Sequence, residues 1–173
     1  MKIVLIGYMG SGKSAIGKKL AEVLNLPFKD LDAEIENREG TTVSEIFSTK
    51  GEIYFRKIEN TTLKEILGLN ESFVLATGGG TPCYADSITV LANQDNVTSV
   101  YLKAPLKVLT KRLFLEKDSR PLLSHLETEE LLNDFIRKHL FERVYYYNQA
   151  NKIVEVENKS IDEVVKEITS TLL

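Results

Sequence analysis

The chain has 173 residues, 43% of them hydrophobic and 27% charged, a balance that suits one globular core and leaves no room for a long disordered tail. A formal charge of −3 and a pI near 5.5 argue against broad binding to nucleic acid or membrane surfaces, so any anion must be met by a local site. The lone cysteine, Cys83, excludes an internal disulfide and a cysteine metal cluster and fits a reducing compartment.

In chain order, the apolar run at 2–7 predicts a first strand, a glycine-rich segment follows it, and the pattern over 13–24 predicts a helix. "PFKDLD" at 27–32 reads as a second strand. Helical patterns then occupy about 33–68, with 43–50 and 52–68 the clearest. Strands at 73–77, 97–103 and 152–156 complete a set of five, short and rich in Val, Ile or Leu, as in parallel sheets covered on both faces. Helices are predicted at 85–93, 105–115, 128–149 and 160–172, with Pro105 in a first turn and Ser160 as an N-cap. This alternation predicts a three-layer α/β domain spanning 1–173. Two segments break it: the helical insertion after the second strand, and the polar "EKDSR" at 116–120. Segments placed after strand ends carry specificity in such folds, so the first is expected to bind an acceptor and the second to act as a mobile lid. The first strand follows no charged leader and no long apolar run, so a cytoplasmic location is expected.

Gly7-Tyr8-Met9-Gly10-Ser11-Gly12-Lys13-Ser14 fits the pattern G-x-x-x-x-G-K-[ST], set between a strand and a helix as a phosphate-binding loop requires. The glycines let backbone N–H groups converge on phosphate oxygens at the positive end of the next helix. Lys13 would reach the β- and γ-phosphates, and the Ser14 hydroxyl would ligate Mg²⁺. Gly10, Ser11, Gly12, Lys13, Ser14 and Ala15 are therefore the predicted nucleotide-binding set, with a nucleoside triphosphate as ligand.

No Asp-x-x-Gly switch or Asn-Lys-x-Asp guanine reader is present, which excludes a signalling GTPase. No apolar strand ends in a plain aspartate either, because "FVLATGGG" runs into Thr77 and glycines. The metal's carboxylate must come from elsewhere, and Asp30 and Asp32 in "DLD" are the supply. Two carboxylates two residues apart on a strand would share a face and could divide metal and acceptor work.

With these residues in view, the chain resembles the shikimate kinase family over nearly its whole length. The likeness rests on features in family order: "GYMGSGKS", "DLD" followed by "AEIE", "GEIYFRKIE" at 51–59, "TGGG" at 77–80, "SRPLL" at 119–123 and "RVYYYNQA" at 143–150. The resemblance implies a P-loop NTPase fold of the nucleoside-monophosphate-kinase kind, with a helical acceptor-binding insertion at about 33–62 and a lid at about 112–124. It implies transfer of the ATP γ-phosphoryl to shikimate with Mg²⁺, and it places Asp30 on the metal side and Asp32 as acceptor ligand and candidate base. Arg56 and Arg143 fall where the family grips the shikimate carboxylate, with Glu59 one turn from Arg56. Arg120 matches the lid arginine that stabilises transferring charge, and Arg112 a position near adenine.

Arginine is scarce, six of the 22 basic residues, and its planar fork suits two-point contact with carboxylate or phosphate. Arg38 and Arg137 read as solvated helix charges. Gly78, Gly79 and Gly80 would let the backbone approach the acceptor, or simply form a tight turn. Phe47 and Phe55 are either an apolar wall against the acceptor's ring or plain core. His125 and His139 read as surface residues, and at least one of Tyr145, Tyr146 and Tyr147 must be exposed. A gluconate or nucleoside-monophosphate kinase, or a silent nucleotide-binding module, are the alternatives. Nothing in the sequence demands a partner chain, and a monomer is expected.

Overall fold

The computed structural model describes residues 1–172. Five parallel strands, β1 (Lys2–Ile6), β2 (Phe28–Asp30), β3 (Phe73–Ala76), β4 (Val97–Lys103) and β5 (Lys152–Glu155), form one sheet in the order β2-β3-β1-β4-β5. The helices are α1 (Lys13–Leu24), α2 (Leu31–Glu39), α3 (Val43–Lys50), α4 (Glu52–Gly68), α5 (Ser87–Asn93), α6 (Leu106–Glu116), α7 (Glu129–Tyr147) and α8 (Ile161–Thr171). β1 lies in the middle of the sheet, and Ile3, Val4, Leu5 and Ile6 are fully buried, which explains why its side chains are apolar on both faces.

The register fixes where chemistry can occur. Leu5 pairs with Ala76, Ala76 with Asp30, and Ile6 with Tyr101. The carboxyl ends of β1, β2 and β3 therefore stop level with one another, and the segments leaving them emerge on one edge of the sheet, where open α/β sheets bind ligands.

The expected second strand is shorter than the apolar pattern suggested. It ends at Asp30, and the chain turns directly into α2 at Leu31. Asp30 is the N-cap: its Oδ1 accepts from the Ala33 N–H at 3.1 Å, while Asp32 and Glu34 sit in the first turn, where the helix dipole favours negative charge. Asp30 and Asp32 thus do not alternate along one strand. The first closes a strand and the second belongs to a helix, so their neighbours differ. The insertion between β2 and β3 consists of α2, α3 and α4, and Thr42 and Ser160 open α3 and α8 with full capping boxes. Pro105 stands just ahead of α6, as an N-cap residue rather than inside the first turn.

Candidate active site

The loop after β1 wraps the start of α1. Gly10 and Gly12 have φ of 79° and 97°, a left-handed backbone that other residues adopt only under strain, and Gly12 is the N-cap of α1. Lys13 is buried at 9% exposure, and its Nζ donates to the carbonyl oxygens of Gly7 and Tyr8 at 2.7 and 3.0 Å. Burial lowers its pKa to about 8, against the opposing pull of Asp32. Ser14 Oγ points at Asp30 Oδ2 across 3.4 Å, and Ser11 Oγ is buried without a hydrogen-bond partner among the described residues.

A cleft of about 490 Å³ opens over this loop. Residues Gly10 to Ala15 line it together with Asp30, Asp32, Gly78, Gly79, Arg112 and Arg120. Arg112 Nη1 donates to the Gly10 carbonyl at 3.1 Å. Arg120 leaves a 3₁₀ turn at Lys117–Ser119, and Glu116 holds its Nη2 at 2.9 Å. Glu116, Val156, Lys159 and Ile161 line the same cleft, and none was singled out from the sequence. The last three flank the turn between β5 and α8, which no motif marks.

The other predicted residues meet around the turn after β3. A Cβ placed on Gly80 would lie 2.6 Å from both terminal nitrogens of Arg56, and one on Gly79 would lie 3.2 Å from Arg143 Nη1. One on Gly78 would lie 3.2 Å from Asp32 Oδ1 and 3.3 Å from Glu59 Oε2. Gly78, Gly79 and Gly80 are thus a place of close approach, where two arginines and two carboxylates crowd against backbone.

Arg56 is held on several sides. Its Nη1 donates to Glu59 Oε1 at 2.9 Å, and its guanidinium lies 4.0 Å from the centre of the Tyr84 ring. The Phe55 and Phe47 rings follow at 5.2 and 5.7 Å. Glu59 in turn accepts from Thr81 Oγ1 at 2.8 Å. Phe47 and Phe55 stack on each other, ring centroids 4.5 Å apart, with Phe55 buried, so they pack the core and back the arginine together. Tyr84 and Thr81 went unnoticed because the stretch after the glycines carries no periodic pattern.

Asp32 is half-buried, and its pKa is pushed up to about 6 by burial first and then by repulsion from Asp30 and Glu59, with Lys13 opposing. A carboxyl poised there can lose and regain a proton near neutral pH.

His139 departs from the surface position expected for it. It is half-buried, with Nδ1 at 3.0 Å from the Tyr8 hydroxyl, and burial with nearby Arg143 and Arg56 lowers its pKa to about 4. His125 is exposed. Of the tyrosine run, Tyr145 is exposed and Tyr147 is fully buried, donating to the Gly79 carbonyl at 2.6 Å. Arg38 and Arg137 make surface ion pairs with Glu65 and Asp134. Cys83 is half-buried, and burial lifts its thiol pKa to about 11, which suits packing rather than nucleophilic work.

Comparison with known proteins agrees with this geometry. The sequence matches the shikimate kinase family over residues 9–173. A shikimate kinase from Flavobacterium johnsoniae is 47% identical over 171 residues, covering 99% of this chain and 98% of that one. The crystal structure of a shikimate kinase from Bacteroides thetaiotaomicron superposes with a TM-score of 0.90 at 36% identity, covering 99% of this chain and 98% of that one. One from Acinetobacter baumannii, solved in complex with shikimate, gives 0.85 at 33% identity, covering 99% and 92%. A phosphate loop facing a cluster of arginines and carboxylates, on a fold and sequence shared end to end with these relatives, leaves one assignment: the chain belongs to the shikimate kinase family, whose members are ATP-dependent kinases.

Proposed function

We propose that the protein transfers the γ-phosphoryl group of ATP to the 3-hydroxyl of shikimate, giving shikimate 3-phosphate and ADP. The observation that carries this reading is the convergence of Asp32, Arg56 and Arg143 on Gly78, Gly79 and Gly80, beside the phosphate loop, whose Met9 N–H would lie 3.3 Å from a Cβ on Gly79. Two guanidiniums there can take an acceptor's carboxylate, while Asp32 takes its hydroxyl. The Acinetobacter relative, solved with shikimate, supports that acceptor.

The loop N–H groups, Lys13 and the unpartnered Ser11 hydroxyl suit a polyphosphate. Ser14 Oγ and Asp30 Oδ2 are hard oxygen donors that fit Mg²⁺, which would shield phosphate charge when bound; Asp30 would act directly or through water.

Asp32 accepts the proton as the hydroxyl attacks. Arg120 moves from Glu116 onto the transferring group, and Arg112 lies beside the adenine ring. The lid at about 112–124 closes to exclude water, and the acceptor subdomain at about 33–62 carries Arg56. The whole chain acts as one domain, a cytoplasmic monomer without nucleic-acid or membrane partners; no described helix is long and apolar enough to cross a membrane.

ADP release from Mg-ATP, measured with shikimate, gluconate and nucleoside monophosphates in turn, tests this. Stimulation by shikimate alone is expected. Stimulation by gluconate or a nucleotide instead would replace the acceptor, and ATP binding without any stimulation would make the chain a silent module.

A further inference from the structure

One stripe of α7 faces the phosphate loop. Phe135, His139, Arg143 and Tyr147 recur every four residues, so they share a face of the helix. At one end of the stripe the Phe135 ring packs edge-on against His139, ring centroids 5.5 Å apart. At the other, Tyr147 holds the Gly79 carbonyl. Between them lies Tyr8, a loop residue that the phosphate-binding pattern leaves unspecified. Its ring is 1% exposed, yet it belongs to the loop and not to the sheet.

Tyr8 touches three things. Its carbonyl accepts from Lys13 Nζ, its hydroxyl is hydrogen-bonded to His139 Nδ1 at 3.0 Å, and the Arg143 guanidinium lies 5.8 Å from its ring centre. The His139 ring meets the tyrosine ring edge-on at 88°. A cation over an aromatic face at this range is attracted to it, more strongly when water is excluded. The imidazole and Arg143 are one turn apart on α7, so the helix presents an anchor for the phenol and the cation it supports together.

We propose that Tyr8, fixed by His139, is a positioning residue for Arg143. It sets the distance between the acceptor's carboxylate grip and the phosphate loop. The inference rests on the reading of Arg143 as part of that grip. A small error in this distance would misalign the hydroxyl with the γ-phosphoryl, so the effect should reach turnover as well as binding.

The test is a double-mutant cycle of Tyr8→Leu with Arg143→Ala, reading shikimate affinity by calorimetry and kcat by ADP release. Tyr8→Leu is expected to weaken shikimate about 10-fold, to lower kcat, and to add nothing once Arg143 is already alanine. Full additivity of the two changes would overturn the proposal while leaving the Arg143 grip standing. If Arg143→Ala itself leaves shikimate affinity unchanged, the grip fails and the proposal falls with it. Because Tyr8 is buried, a second pair guards against misfolding. His139→Ala should weaken shikimate roughly 3-fold, and His139→Asn, whose amide oxygen can accept from the phenol, should restore it. Equal affinities in wild type and His139→Ala would also overturn the proposal.

Discussion

Glu59 lies 2.9 Å from Arg56 with only 2% of its side chain exposed, so a buried anion one turn along α4 holds one of the two arginines proposed to grip the acceptor's carboxylate. Its second oxygen is taken by Thr81, which leaves the carboxylate little freedom. Removing one partner of such a pair leaves a poorly solvated charge. Glu59→Ala is therefore expected to cost about 2–4 kcal/mol in denaturant unfolding and to raise KM for shikimate by roughly 10- to 100-fold. An unchanged KM would show that Arg56 keeps its place without Glu59.

Gly80 offers a cleaner change. Its φ of −88° is open to any residue, so alanine there strains no backbone. The added Cβ would still fall 2.6 Å from the Arg56 guanidinium, which Glu59 and Tyr84 keep from moving aside. Gly80→Ala should raise KM for shikimate about 10-fold or more with KM for ATP unchanged. A uniform loss of both would point to a collapsed loop instead.

The raised pKa of Asp32 makes a prediction about stability as well as rate. Its carboxyl titrates near 6 in the folded chain against 3.8 ordinarily, so the folded state holds the extra proton between those values. The stabilising contribution is complete below pH 3.8 and is lost as pH rises through about 6, leaving the ionised side chain a net cost at pH 8. Asp32→Asn should raise Tm at pH 8 by about 3–8 °C, equivalent to roughly 1–3 kcal/mol, with the gain vanishing below pH 4. The same variant should lose about 10²- to 10⁴-fold in kcat, and wild-type kcat/KM for shikimate should rise with pH through about 6. A lower Tm at pH 8 would contradict the raised pKa, and near-normal turnover would remove Asp32 from the proposed role of base.

Arg120 and Glu116 form an ion pair one helical turn apart, with side chains 36% and 53% exposed. Such a pair adds little to stability, so Glu116→Gln should leave unfolding within about 1 kcal/mol of wild type. Arg120→Ala should instead lower kcat by about 10²- to 10³-fold with little change in KM for shikimate, as expected for a donor acting on charge that develops during transfer. Loss of shikimate affinity in that variant would move Arg120 to the acceptor side.

Much of this arrangement was legible in the sequence because local chemistry dictates it. Apolar runs gave the five strands, Ser160 marked a helix start, and the glycines with Lys13 and Ser14 can serve few purposes besides holding phosphate. The "DLD" pair was read as the end of one strand over 27–32, but Asp30 also caps a helix, so the strand stops there and Asp32 falls in the helix's first turn. His139 was taken for a surface residue because α7 carries charge on most of its length. Its burial depends on Tyr8, 131 residues away, which no local pattern encodes. Tyr84 and Lys159 follow the same rule, since turns after strands are placed by the sheet and not by their own periodicity.

The measurement that tests the central claim most directly is ADP release from Mg-ATP with shikimate compared with its methyl ester, which keeps the ring and hydroxyls and loses the negative charge. Two arginines gripping the carboxylate predict that kcat/KM falls by about 10²- to 10³-fold for the ester. Equal rates for the two acceptors would contradict the clamp formed by Arg56 and Arg143, and with it the account of how this cleft chooses its substrate.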